Sequence, residues 1–111
     1  MIKATTIAWA AGVYEGEGSI GISGAKTKKQ RLYRRSKGIG VFVILPQKPL
    51  WVLQELKKNF GGSIGEKRKK DGCRCWFLFG PSAKGFLMTI YSWLSPRRKR
   101  QIKRLGVFSR K

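Results

Sequence analysis

Residues 9–20 read WAAGVYEGEGSI, and no other stretch confines the chain so tightly: a short apolar helical run ends on two carboxylates set among glycines. The whole chain holds 5 acidic residues, and two of them, Glu15 and Glu17, stand side by side here with only Gly16 between. A helix C-terminus carries partial negative charge, so an exposed acid there is disfavoured by roughly 0.3–1 kcal/mol and Lys or Arg is preferred. Two acids at such an end call for a positive partner, and a divalent metal ion is the natural one. Gly16 and Gly18 are expected to take left-handed backbone conformations, which stop the helix abruptly and hold the side chains at its tip.

The composition restricts what those acids can work with. There is no His, so catalysis by a His-dependent nuclease or triad is excluded and metal with carboxylate remains. Cys73 and Cys75 are the only cysteines; they cannot complete a four-ligand zinc site and read as reduced packing residues. The 25 Lys and Arg against 5 acids give +20, a field that repels itself and favours a polyanion. Nucleic acid is the expected partner, with no membrane and no small-molecule substrate, since no run approaches the ~18 apolar residues of a span. The opening Met1, Ile2 and Lys3 lack the apolar run of a secretory leader, so an intracellular protein of organellar, phage or prokaryotic origin is expected. At 111 residues, 41% hydrophobic, the chain reads as a single domain over 1–111, and a larger site has to come from self-association.

Along the chain, Thr5 or Thr6 is expected to cap a first helix over residues 7–14. Ala8, Ala11, Gly12 and Glu15 fall on one narrow face of small side chains, suited to close contact with a second helix, and Trp9, Val13 and Ile20 are expected to turn inward. Residues 19–25 and 39–45 alternate as strands, with Ile39, Val41, Val43 and Leu45 on one side. The cationic run between them, KTKKQRLYRRSK, reads as an exposed hairpin tip. There Lys26, Lys28, Lys29, Arg31, Arg34, Arg35 and Lys37 are placed for phosphates and Tyr33 for stacking, with Ser23 on the strand leading in. A second helix is expected over Leu50–Phe60, closed by Gly61 and Gly62, then strands over 63–69 and 73–80 joined at Asp71 and Gly72. On the first of these, Lys67 and Lys69 face away from Ile64 toward a ligand. Ser82 is expected to cap a third helix over 83–94, and Pro96 opens a last, strongly basic one.

Residues 10–18, AAGVYEGEG, resemble the nine-residue signature of the LAGLIDADG homing endonucleases, with Ala for the leading Leu and Glu for both acids. QKPLWVLQELKKNFGGSI and PRRKRQ are similar to two further landmarks of that family in the expected order, so the likeness runs over about residues 7–105. It implies an α+β domain of order αββαββα with a short C-terminal helix, in which helices back a curved four-stranded antiparallel sheet whose free face meets DNA. It also implies a homodimer, since one chain carries one signature, with Ala8, Ala11, Gly12 and Glu15 at the interface.

The chemistry implied is cleavage of both strands of a long pseudo-palindromic duplex by an intron-encoded, Mg²⁺- or Mn²⁺-dependent endonuclease. Glu17 is the expected metal ligand, with the Gly16 carbonyl beside it. Gln47 falls where the family places a polar residue beside the scissile phosphate. Arg98 and Lys99 are the candidates for stabilising phosphate charge, and Arg97 for contacting DNA. The W-x-L-x-G pattern puts Trp76, Leu78 and Gly80 on the core side and leaves Cys73, Cys75 and Phe77 toward the ligand, where apolar groups suit thymine methyls; the inverted register stays open. A non-cleaving DNA-binding protein or RNA-splicing maturase of the same fold is the alternative reading.

Overall fold

The structure, a computed structural model, describes residues 2–22 and 40–105. The first helix, α1 (Ala4–Glu17), leads into β1 (Ser19–Ile22); β2 (Val41–Gln47) pairs antiparallel with it in the register Ser19 to Ile44 and Ile22 to Val41. Then come α2 (Leu50–Phe60), β3 (Ser63–Ile64), β4 (Arg74–Phe79) and α3 (Pro81–Ile90). A 3₁₀ turn (Tyr91–Trp93) and α4 (Pro96–Leu105) complete the described elements. The sheet has the order β1-β2-β4-β3, antiparallel throughout, so the two hairpins meet along β2 and β4.

Period-two alternation sets the sheet's inner face. Val41, Val43 and Leu45 of β2 and Trp76 and Leu78 of β4 are buried, and the residues that alternate with them along each strand point the other way. Trp76 and Leu78 are therefore core residues as expected, which fixes the register left open by spacing. Against this face lie Leu53 and Leu56 of α2, Phe86, Leu87 and Ile90 of α3, and Ile102 of α4. Phe86 is the hub: Tyr14, Phe60 and Trp76 meet it edge to face at 6.3, 5.0 and 5.1 Å. Each such pair contributes about 0.5–1.5 kcal/mol beyond the area it buries.

Several boundaries differ from those expected, among them the end of α1 at Glu17 rather than residue 14 and the end of β2 at Gln47 rather than residue 45. The first helix begins at Ala4, with Lys3 preceding it and no side-chain cap, so Thr5 and Thr6 lie inside its first turn and cap nothing. Its buried stripe is Ala10, Ala11 and Tyr14, with Trp9 and Val13 only partly buried on the flanks. Strand β3 is two residues long, because Gly72 N–H closes back on the Arg68 carbonyl at 2.9 Å and Arg68 pairs with Asp71, drawing residues 68–72 into a loop wider than a two-residue hairpin. Gly80, at φ +62, and Pro81 start α3, leaving Ser82 inside the helix rather than capping it. That helix ends at Ile90, where the chain tightens into the 3₁₀ turn, and Pro96 then keeps Ser95 out of helical geometry.

Candidate functional site

Helix α1 runs through Gly16 to Glu17, and Gly18 follows at φ −73 and ψ 153, an extended conformation open to any residue. The expected left-handed glycines are therefore absent: neither Gly16 nor Gly18 has positive φ. Gly18 is required for space instead, since a Cβ there would overlap the Tyr14 ring. The chain turns into β1 directly over that ring.

The two acids have separate fates. Glu15 faces the start of α4, where its Oε1 accepts the Ser95 backbone N–H and its Oε2 the Ser95 hydroxyl, each at 2.8 Å. Arg97 and Arg98 approach Oε2 at 3.7 and 4.0 Å. The positive partner demanded by an acid at a helix end is here a second helix's N-terminus with two guanidinium groups. Partial burial works against the Glu15 charge, but the two bonds from Ser95 and the nearby Arg98 and Arg97 outweigh it and hold the carboxyl below its usual range. Glu15 is thus engaged within its own chain, with about a third of its side chain left exposed.

Arg98 is likewise committed. It is 6% exposed, donates through Nε and Nη2 to the Glu15 carbonyl at 3.2 and 3.0 Å, and through Nη1 to Gln101 Oε1 at 2.9 Å. Its guanidinium carbon lies 4.9 Å from the centre of the Tyr14 ring. The structure places this guanidinium in the contact between α1 and α4 rather than at an exposed position, where it caps the last turn of α1. Arg97, one residue earlier, is two-thirds exposed and reaches only the loose pair with Glu15. Beneath them, burial pushes the Tyr14 phenol up to about 12 against the lowering influence of Arg98, and its hydroxyl has no hydrogen-bond partner among the described residues.

Glu17 differs from Glu15 in every respect. It is exposed at the tip of α1, and among the described residues no hydrogen bond or ion pair reaches its carboxylate. The Gly16 carbonyl beside it belongs to the last turn, where an α-helix supplies no intrahelical donor. Oxygen donors of this kind suit a hard divalent cation. One chain does not complete such a site: among the described residues no three His, Cys, Asp or Glu side chains cluster. The exposed carboxylate and the adjacent carbonyl are a donor pair of the kind such a cation takes, and they fill only part of its coordination shell.

The other candidates are spread over several elements. Gln47 ends β2, opposite Arg74, partly exposed. Lys99 is partly buried with its Nζ 5.6 Å above the Tyr91 ring. Lys67 and Lys69 are exposed on the 65–72 loop rather than on a strand. Of the small-residue face, Gly12 is exposed and Ala8 partly so, but Ala11 is 1% exposed within the chain's own core, a correction to its expected contact. Gly12 and Gly16, one turn apart, both have open space where a Cβ would stand. Ser23, Lys26, Lys28, Lys29, Arg31, Tyr33, Arg34, Arg35 and Lys37 lie outside the described residues. Ser95 was not anticipated; the Ser-Pro pair opening a helix, an N-cap followed by an N1 proline, was the available signal.

No family model matches the chain, and no curated protein does. Solved structures do. The homing endonuclease I-CvuI, in complex with its target in 2 mM Ca, is 21% identical with a TM-score of 0.64 over 91% of this chain and 64% of that one. The archaeal intron-encoded homing endonuclease I-Vdi141I, complexed with DNA, gives 23% and 0.65 over the same shares. The group I intron-encoded homing endonuclease I-CeuI, complexed with DNA, gives 16% and 0.65 over 95% of this chain and 54% of that one. This chain spans less than two thirds of each of those proteins. It has the α+β fold of the LAGLIDADG homing endonucleases, and α1 is the helix that carries the nine-residue motif.

Proposed function

We propose that the chain is a divalent-metal-dependent double-strand DNA endonuclease that acts as a homodimer on a long, pseudo-palindromic site. The observation that carries this reading is the separation of the two acids at the end of α1: Glu15 is consumed by Ser95, while Glu17 stays exposed and unpartnered among the described residues. An acid at the C-terminus of a helix, with no compensating cation among the described residues, is costly unless it has a use. The structural neighbours complexed with DNA and the +20 charge support a polyanionic partner. Dimerisation follows from the count of ligands, since each chain brings one exposed carboxylate to the helix tip and Gly12 and Gly16 leave the same helix able to approach another closely.

In this mechanism Glu17 and the Gly16 carbonyl would hold the cation. When bound, Mg²⁺ or Mn²⁺ supplies the Lewis acidity that activates water and neutralises charge on the scissile phosphate. Gln47 orients the attacking water by hydrogen bonding. Lys99, with Arg97 in the place first expected of Arg98, steadies the negative charge that develops on the phosphate oxygens. Arg98 acts on position alone: by tying the Glu15 carbonyl to α4 it fixes where the helix ends, and therefore where Glu17 stands. The test is incubation of the protein with Mg²⁺ and a duplex library of randomised palindromic sites. Cut molecules sharing one motif are expected, and a library left intact, with duplex still bound, makes the protein a binder only.

A further inference from the structure

The sheet face opposite the core is uncharged, with apolar side chains along its two central strands and Ser19 and Ser63 at its outer edges. Alternation places Ser19 and Gly21 of β1, Phe42, Ile44 and Pro46 of β2, and Cys75, Phe77 and Phe79 of β4 on that side. In a chain of +20, none of these carries a charge. Cross-strand pairing lines them up in rows, Gly21 beside Phe42 beside Phe79, and Ile44 beside Phe77. The Phe77 and Phe79 rings are nearly parallel, 9° apart with centroids 6.1 Å apart, and Phe79 is 57% exposed. The glycines of the outer segments make room for the rings: a Cβ on Gly21 would stand 2.6 Å from the Phe42 ring, and one on Gly65 3.0 Å from the Phe77 ring. Phe42 and Phe77 therefore lie across their neighbours' backbones, and the face is broad and shallow.

Such a surface gives nothing to a phosphate. A second copy is a poor occupant, because the dimer proposed above uses the tip of α1 and this face brings no anion to offset the repulsion between two chains of +20. Duplex DNA complements the charge, with the phosphates held by basic residues off the face, and a sheet entering the major groove turns its side chains toward base edges. Among the groups presented there, the thymine C5-methyl alone is apolar.

We infer that this strip reads thymine methyls in the major groove, through Phe42, Ile44, Phe77 and Phe79, so that the part of each half-site beneath it is rich in A·T pairs. The inference rests on the duplex-binding reading above and specifies its substrate. Methyl contact is worth about three- to fourfold in affinity for each methyl covered, by the usual transfer value for one buried carbon, so two methyls are worth about tenfold.

The experiment selects binders from a random-sequence duplex library in Ca²⁺ with wild-type protein. The affinity for the selected duplex is then compared with that for the same duplex made with deoxyuridine in place of thymidine. Enriched A·T positions and a loss of about tenfold on the uracil duplex are expected. The variant F77T/F79T, changed only on the solvent face, is expected to discriminate less between the two duplexes than wild type, losing the share that Phe77 and Phe79 supply. Equal wild-type affinity for the two duplexes overturns the inference and leaves duplex recognition standing. Absence of any enriched sequence or duplex binding overturns the parent reading, and protein association that F77T/F79T abolishes without DNA assigns the face to a second copy and overturns the inference as well.

Discussion

The Glu15 carboxylate spans the N-cap of α4, taking the backbone N–H and the hydroxyl of Ser95 at 2.8 Å each from 80 residues away in the chain. The bond joins the C-terminus of α1 to the N-terminus of α4, and each helix end thereby meets the charge it prefers, the Arg98 guanidinium on one side and a carboxylate on the other. Glu15→Ala is expected to lose about 1.5–3 kcal/mol, the range for a hydrogen bond to a charged group. Because the folded carboxyl titrates below the usual 4.5, its contribution is complete above that value and disappears as pH falls through the lower folded value. Urea unfolding of wild type and Glu15→Gln across that acid window checks both points. The wild type should lose its advantage over Glu15→Gln toward low pH, and an advantage that grew on acidification would reverse the assignment.

Gly16 and Gly18 should respond oppositely to the same substitution. Gly18→Ala drives a methyl into the Tyr14 ring and is expected to cost about 1–3 kcal/mol, as overpacking does. Gly16→Ala meets nothing within 4 Å and sits in helical backbone, so the isolated chain should gain about 0.5–1 kcal/mol. If α1 faces a second copy, the same methyl weakens association. Denaturant melts and sedimentation on both variants separate the two effects, and a dimer unchanged by Gly16→Ala and by Gly12→Leu would place the interface elsewhere.

Much of this architecture was legible in local patterns. Val41, Val43 and Leu45 alternate with period two and are all buried, and Leu50–Phe60 is bracketed by Pro49 and by two glycines of positive φ. The motif acids were found by charge scarcity and by resemblance. What escaped depends on docking between distant segments. Nothing near Glu15 announces Ser95, and the basic run at residues 97–100 offers several equivalent cations until α4 packs. Its periodicity held a clue: Leu94, Arg98 and Ile102 recur every four residues, and all three are buried, so the arginine shared a stripe with core residues. The left-handed glycines failed for another reason. Gly18 is needed for its missing Cβ, and a tight approach to an aromatic ring leaves no trace in the pattern of neighbours.

Arg97 and Arg98 give a paired test of the site. Arg98→Lys keeps the charge but cannot reproduce three directed hydrogen bonds and the contact with Tyr14, so a loss of about 1–3 kcal/mol is expected. Arg97→Ala should leave the melting transition nearly unchanged, since an exposed ion pair contributes little, and should weaken duplex affinity or cleavage instead. Thermal melts with duplex titrations on both variants check this, and equal destabilisation by the two changes would contradict the division of roles.

Binding should depend steeply on salt. Each phosphate neutralised by Lys or Arg releases counterions, and six to ten such contacts cost about 10³ to 10⁵ in affinity between about 50 and 200 mM salt. The abundance of basic residues makes a number in that range reasonable for a dimer. A titration of duplex affinity against salt concentration gives the slope directly, and a nearly flat line would remove phosphate contact as the main source of affinity.

Glu17 carries the sharpest consequence, because the acid two positions before it shows what a structural carboxylate looks like in this fold. Glu15 has two hydrogen bonds and two arginines; Glu17 has none among the described residues. Removing its charge should therefore leave folding intact, or improve it slightly, since the exposed carboxylate opposes the helix dipole. Binding should also persist or tighten, since repulsion between the carboxylate and phosphate oxygens is relieved. Cleavage has no such independence, because Glu17→Gln keeps the shape of the side chain but offers a divalent ion a neutral oxygen, and strand scission in Mg²⁺ should fall by orders of magnitude. The measurement is duplex affinity in Ca²⁺ and cleavage rate in Mg²⁺ for wild type and Glu17→Gln, with unfolding curves for both proteins. A variant that cuts like wild type would show that the metal is held elsewhere, and a variant that neither folds nor binds would make Glu17 a structural residue despite its exposure.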